Sequence, residues 1–290
     1  MDYTLSNSYD TDTGTGHRLH NESQAVPTAW SEQDANSVIW SLMAIVEAAG
    51  LTGLQFDKDT PATYQQVLTA IRLLRPGGLI GVQVFSTVGT ATYTPSPGTV
   101  SVLLELQGGG GGGGGSAATS ASQLAAGSGG NGGTYAKSRI TGGFAGVPVT
   151  VGAAGLGGAV GANGGAGGTS SFGGLVSAPG GAGGNGGAAL IPPGMTPAPI
   201  NSAIASGGNL INASSHTGLL GQMLSTSYGL SGAGGDSLFG AGPSGTSSPG
   251  GGGVAGNYGC GGAGALSGAS SGGNGGGLAA KGVVIVWELS

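Results

Sequence analysis

Residues 108 to 115 are eight consecutive glycines, and no other feature of the sequence restricts the fold as strongly. A run without side chains builds no hydrophobic core, and glycine loses more conformational freedom on folding than any other residue. Such a run is either a flexible linker or a segment whose backbone groups bond to other backbones at close range. The surrounding pattern favours the second. Glycine fills 70 of 290 positions, and Gly152, Gly155, Gly158, Gly161, Gly164 and Gly167 fall on every third residue. Gly250, Gly253, Gly256, Gly259 and Gly262 do the same, as do the doublets beginning at Gly180, Gly183 and Gly186. Three residues per turn is the period of the polyproline-II helix, which makes no internal hydrogen bonds. Collagen shares the period, but these runs are short and carry almost no proline. The pattern predicts polyglycine/PPII-type helices packed as a lattice.

Charge limits the partners. From Gly108 to Ala280 the charged residues are Lys137, Arg139 and Asp236, and the whole chain has a net charge of -5. That surface cannot neutralise a row of phosphates, so nucleic acid is not an expected partner. No apolar run approaches the length of a membrane span, and residues 1–22 lack the pattern of a secretion signal. Neither membrane insertion nor signal-directed export is expected. Cys260 is the single cysteine, which suits a reducing cytoplasm, and it reads as a small buried residue.

Before the glycines the chain reads differently. Residues 1–30 form an extended polar arm, and residues 31–78 hold two helices. The first opens on Ser31 with Asp34 as a capping pair, carries Ala35, Val38, Ile39, Leu42, Ile45, Val46 and Ala49 at helical spacing, and stops at Gly50. The second opens on Thr60-Pro61, presents Tyr64, Val67, Leu68, Ile71 and Leu74, and stops at Pro76-Gly77-Gly78. Two helices of this size cannot bury both apolar stripes alone, so self-association or docking is expected. Residues 79–107 read as β linker strands, with alternation through Val82, Val84, Thr90, Thr92 and Thr94 and a strand from Val100 to Gln107. Further strands are expected at 134–140, 147–151, 170–176 and 282–289 within an all-β, glycine-rich domain spanning 108–290.

Between Ala188 and Tyr228 only five of 41 residues are glycine. Ile191, Met195, Ile200, Leu210, Ile211, His216, Met223 and Tyr228 lie there, and the segment reads either as a local core or as loops presenting an apolar contact surface.

Catalytic patterns are sparse. Gly268-Ala269-Ser270-Ser271-Gly272 matches a nucleophile elbow, but no strand leads into it, and its partners would be His216 and Asp236, both upstream. Asp236 and Glu288 are the only acids after Gly108. No glycine run is followed by Lys-Ser or Lys-Thr, so no nucleotide loop is expected. His17 and His20 have metal-ligand spacing within a polar arm, where solvated side chains are the simpler reading. Neither a cofactor nor a metal is expected from these residues.

The order of features resembles tail fibres of tailed bacteriophages and prophages. The attachment region is matched by Arg18-Leu19-His20-Asn21-Glu22, Val26-Pro27-Thr28, Trp40-Ser41-Leu42, Ala48-Ala49-Gly50-Leu51 and the helix from Tyr64 to Ile71. Their glycine-rich receptor-binding domain is matched by Leu104 to Gly115, Tyr135-Ala136-Lys137, Val147 to Gly152, Ser170 to Gly174 and Val283 to Leu289. The resemblance implies a homotrimeric virion fibre made in the host cytoplasm. Residues 1–78, with Trp30, Val38, Ile39, Leu42, Val46, Val67 and Ile71, would attach to the baseplate or tail and trimerise. The distal tip would bind a host glycan, pilus or outer-membrane protein without turnover. Besides residues of the 188–228 segment, Leu238, Phe239 and Tyr258 are candidate receptor contacts by their position in the pattern. A receptor-free structural spacer and an ice-binding protein are the alternative classes.

Overall fold

The computed structural model describes residues 10–11, 18–19, 32–55, 59–74, 77–200 and 203–290. The chain divides into two compact units, Met1–Gly78 with Ser290, and Leu79–Leu289.

In the first unit, β1 (Asp10–Thr11) pairs antiparallel with β2 (Arg18–Leu19). Helix α1 (Glu32–Ala48) ends at Gly50, whose φ of +71° is the left-handed turn that the C-terminal position requires. Ser31 lies outside the described residues. The second helix is not continuous. It consists of α2 (Pro61–Tyr64) and α3 (Gln66–Leu73), interrupted at Gln65, where φ is -98° and ψ is 7°. The Gln66 amide clamps the preceding loop, accepting from the Leu54 N–H at 2.8 Å and donating to the Leu54 carbonyl at 3.1 Å. Helix α1 packs on α3, yet only Val46 and Ala70 become buried hydrophobics among the described residues of these helices. The apolar stripes stay largely open because a pair of helices this short has no third layer to close over them.

The second unit is mostly β. Its strands are β3 (Leu79–Phe85), β4 (Gly89–Thr92), β5 (Ser101–Gln107), β6 (Ala125–Ala126), β7 (Tyr135–Ile140), β8 (Pro148–Val151), β9 (Ser170–Phe172) and β10 (Val176–Ala178). After them come β11 (Gly194–Thr196), β12 (Ile211–Ala213), β13 (Gly221–Ser225), β14 (Tyr228–Leu230), β15 (Leu266–Ser267) and β16 (Val283–Leu289). An antiparallel sheet in the order β12-β7-β5-β16-β3 faces one in the order β10-β9-β8-β4 across a shared core. The alternation of β5 and β16 explains the core: Leu106 is registered with Val284 and Leu104 with Val286, and all four point to one side and are buried. Tyr93, Phe172 and Val149 close it from the other sheet and its connections.

Two strand expectations change. Residues 79–107 do not stand apart as a linker, because β3 and β5 flank the C-terminal β16 and β4 pairs with β8. The strand expected over 170–176 is a hairpin of β9 and β10, turned at Gly173, whose φ is +53°.

β5 runs directly into the glycine segment 108–115, which is wholly buried. Its N–H groups rotate through three neighbours at 2.9–3.0 Å: Gly108, Gly111 and Gly114 donate to Thr134, Asn131 and Ser128, while Gly109, Gly112 and Gly115 donate to Gly168, Gly165 and Ala162. Gly110 and Gly113 donate to Ala280 and Gly277. Its carbonyls rotate through three others, accepting from Gly155 and Gly158, from Gly181, Gly184 and Gly187, and from Gly262 and Ala265. Six segments thus surround one, and every third residue faces the same neighbour. No direction is left for a side chain. A Cβ on Gly112 would overlap the Leu156 carbonyl, and one on Gly111 the Ala182 carbonyl. In segment 127–134 each third residue instead carries a buried polar side chain that closes a bond. Ser128 Oγ accepts from Asn185 N–H at 2.7 Å, Asn131 Oδ1 accepts from Gly218 N–H at 2.9 Å, and Thr134 Oγ1 donates to the Pro179 carbonyl at 2.9 Å.

A buried carboxylate pins the far end of the sandwich. Glu288 Oε1 accepts from Tyr93 Oη at 2.7 Å, Gln83 Nε2 at 2.8 Å and Ser96 N–H at 3.0 Å. Burial alone would raise its pKa, but the bonds from Ser96, Tyr93 and Gln83 outweigh burial and hold it below the usual carboxylate value. Burial, then the bond and charge of Glu288, raise that of Tyr93.

Two predictions follow from this packing. Gly112→Ala should destabilise the second unit by about 3 kcal/mol or more in urea unfolding, whereas Gly256→Ala, with open space around its Cβ, should change stability by no more than about 0.5 kcal/mol. Equal effects would show that close approach is not the constraint. A depressed folded pKa makes the Glu288 contribution present above the ordinary value of about 4.3 and lost as pH falls through the folded value. Glu288→Gln should therefore lower stability at pH 7 and flatten the acid limb of the stability profile. An unchanged acid limb would refute the pinning role.

Candidate functional site

The acids and the serine motif do not assemble into one catalytic group. Glu288 is spent on its three donors inside the sandwich. Ser270 sits in a turn at φ +51°, its N–H bonded to the Ser120 carbonyl at 3.0 Å, and Ser271 N–H is bonded to Thr119 Oγ1 at 3.1 Å. His216 and Asp236 instead line a groove to which Ser270 does not contribute. Among the described residues no group of three or more His, Cys, Asp or Glu is placed to hold a metal ion, and no helix is long and apolar enough to cross a membrane. His17 and His20 lie outside the described residues.

The candidate contact residues occupy separate elements. β11, β13 and β14 form a three-stranded sheet in which Met195, Gln222 and Leu230 share one row. Met195 is well exposed there, with Tyr228 at the turn end, and Ile191 precedes β11. Ile200 follows β11 and is 84% exposed, the most open of the candidates. Met223 corrects the sequence reading. It lies on the opposite face of the same sheet, is 0% exposed, and packs with Leu124, Ala126 and Leu266 as a second small core. Strand alternation sends Gln222 outward and Met223 inward, a parity that apolar content alone does not reveal. Leu210 and Ile211 are exposed at β12, the edge of the five-stranded sheet, where Ile211 is registered with Lys137.

Phe239 and Tyr258 are half-buried rather than free tips. Phe239 lies 6.5 Å from the Tyr135 ring and 6.3 Å from Tyr258, with Lys281 Nζ 6.0 Å from the Tyr258 centroid. Tyr135 is 7% exposed, and burial together with the charge and bond of Glu105 pushes its pKa up to about 12. Glu105 also pairs with Lys137 at 3.0 Å. The stack fastens the 237–258 connections to the sheet, and Leu238 projects from it, exposed. Nearby, Cys260 is buried, its Sγ 3.1 Å from the Gly240 carbonyl. Burial raises its pKa and the Asp236 charge adds to that, against bonds with Ser237 that lower it.

The sequence reading missed the groove. It measures about 500 Å³ and is lined by His216, Thr217, Leu219, Ala233, Asp236 and Ser244 over a floor that includes Gly234 and Gly235. Asp236 is held by one oxygen, Oδ1, on the Gly242 N–H at 2.7 Å. The available signal was Asp236 itself, the one acid between Gly108 and Ala280.

In the first unit Val38, Ile39, Leu42 and Ile71 are exposed, Val67 is half-buried, Val46 is buried, and Trp30 lies outside the described residues. Neither a protein-family model nor a curated protein matches the chain.

Core and contact residues separate in a mutational test. Met223→Ala should cost about 2–5 kcal/mol by urea unfolding, and Ile200→Ala should change stability by no more than about 0.5 kcal/mol. A neutral Met223→Ala would place that side chain outside the core.

Proposed function

We propose that the chain is a tail-fibre adhesin of a tailed bacteriophage or prophage, a homotrimer in the virion that binds a host surface receptor without catalysis. In this reading the glycine segments are polyglycine-II-type helices packed as a lattice, which serves as a rigid base for contact loops. The observation that carries the proposal is the concentration of exposed apolar side chains on the 188–228 segment: Met195 on β11, and Ile191, Ile200 and Leu210 in the connections beside β11 and β12, strands bonded into a buried scaffold. Residues 1–78 are the attachment part. Their exposed apolar residues Val38, Ile39, Trp40, Leu42 and Ile71 belong to the surface that trimerisation and docking to the tail or baseplate would cover. Three copies on one fibre multiply weak contacts through effective concentration.

Excising 188–228 is not a usable test, because it removes β12 from the five-stranded sheet and Met223 from the second core. Surface substitution is. Combined Ile191→Ser, Met195→Ser and Ile200→Ser should lower binding to host cells at least tenfold with an unchanged melting temperature. Full binding by this variant would remove the segment from the receptor site, and absence of binding by the unsubstituted protein to any candidate host would favour a structural spacer.

A further inference from the structure

The groove at Asp236 lies where the network of bonded segments is incomplete. Segment 231–235 bonds to four neighbours. Gly232 and Gly235 bond to segments 127–134 and 259–265, the Ala233 carbonyl accepts from Leu219, and Gly234 N–H donates to Pro243. The buried segment 108–115 has six neighbours, so 231–235 is two short, and the groove lies on its open side between 216–219 and 242–244.

A glycine helix at the spacing of the buried segments does not fit that side. Where glycine segments bond at close range, a Cβ has no room, as the Leu156 carbonyl against Gly112 and the Gly261 carbonyl against Gly234 show. The open side of 231–236 carries the side chains of Ala233 and Asp236, which hold a further backbone at a distance. An occupant that reaches past these side chains would bond to them. Polar groups for it are present. Among the described residues, the hydroxyls of Thr217 and Ser244, the imidazole of His216, Oδ2 of Asp236, and the backbone N–H and C=O of Thr217 and Ser244 make no hydrogen bond. Exposed Leu219 adds an apolar wall. The volume of about 500 Å³ falls within the usual range for ligand sites, about 300–1,000 Å³.

Charge narrows the class. Asp236 is the only acidic side chain in the lining, which holds no Lys or Arg, and its carboxylate accepts hydrogen bonds but donates none. Hydroxyl and ammonium donors suit it, and a carboxylate or phosphate substituent is repelled. We propose that this groove binds an uncharged or amino-substituted oligosaccharide, with Asp236 accepting from its hydroxyl or amino groups and Leu219 lying against its C–H face. The proposal names the receptor chemistry within the adhesin reading and rests on that reading for its biological setting.

The test uses the full chain in calorimetric and saturation-transfer NMR titrations with four probes: N-acetylglucosamine trimer, glucosamine trimer, maltotriose and trigalacturonate. The expected result is binding of at least one of the first three, no binding of trigalacturonate, and at least tenfold weaker binding for Asp236→Asn at an unchanged melting temperature. Thr217→Ala should weaken the same probe several-fold. Failure of all probes, binding of trigalacturonate, or binding indifferent to both substitutions would overturn the proposal. Cell binding measured in parallel separates the two readings. Host cells bound without any probe being bound remove the groove and leave the adhesin, whereas a probe bound with no cells bound supports the groove and removes the adhesin.

Discussion

Backbone-to-backbone hydrogen bonding at a distance that excludes any Cβ is the constraint on which the second unit depends. Each glycine of 108–115 donates to one neighbouring segment and, from Gly109 onward, accepts from another, with the partners changing at every residue. Glycine loses the most conformational freedom on ordering, so the order must come from completing these bonds in a buried site. A single added methyl group at the centre meets a carbonyl. Interiors are close-packed and do not yield to such an overlap without shifting their neighbours.

The sandwich and the glycine network support each other. β5 enters segment 108–115 without a break, and Ala280 bonds to Gly110 shortly before β16 begins. Gln107, at the junction, donates from Nε2 to the Gly133 carbonyl at 2.8 Å and so ties the sheet to segment 127–134. Farther along, Ser170 Oγ donates to the Gln107 carbonyl at 2.7 Å and accepts from Gly152 N–H at 3.0 Å. The sheets supply the hydrophobic burial that glycine lacks. Function, in the proposed reading, falls to what the network leaves at its margins: the outward row of β11, the exposed Ile200 that follows it, and the groove beside Asp236.

The sequence disclosed the elements whose signal is local. The strand ending at Gln107, the C-terminal strand and the helix stop at Gly50 all lie within a residue or so of their expected places. The three-residue glycine spacing matches the three-residue rotation of hydrogen-bond partners. What depended on partners was not legible. The parity that buries Met223 and exposes Met195 is set by β13 lying over Leu124 and Leu266, far away in sequence. The stack of Tyr135, Phe239 and Tyr258 joins residues more than a hundred positions apart. The groove arises because Ala233 and Asp236 interrupt a glycine edge, and its walls come from separate segments.

Segment 108–115 is a bonded, buried core rather than a linker, and native-state hydrogen exchange distinguishes the two. The amides of Gly109 to Gly115 should exchange only with global unfolding of the second unit, as slowly as those of β16. Exchange as fast as that of the exposed residues 141–143 would show the segment to be a linker.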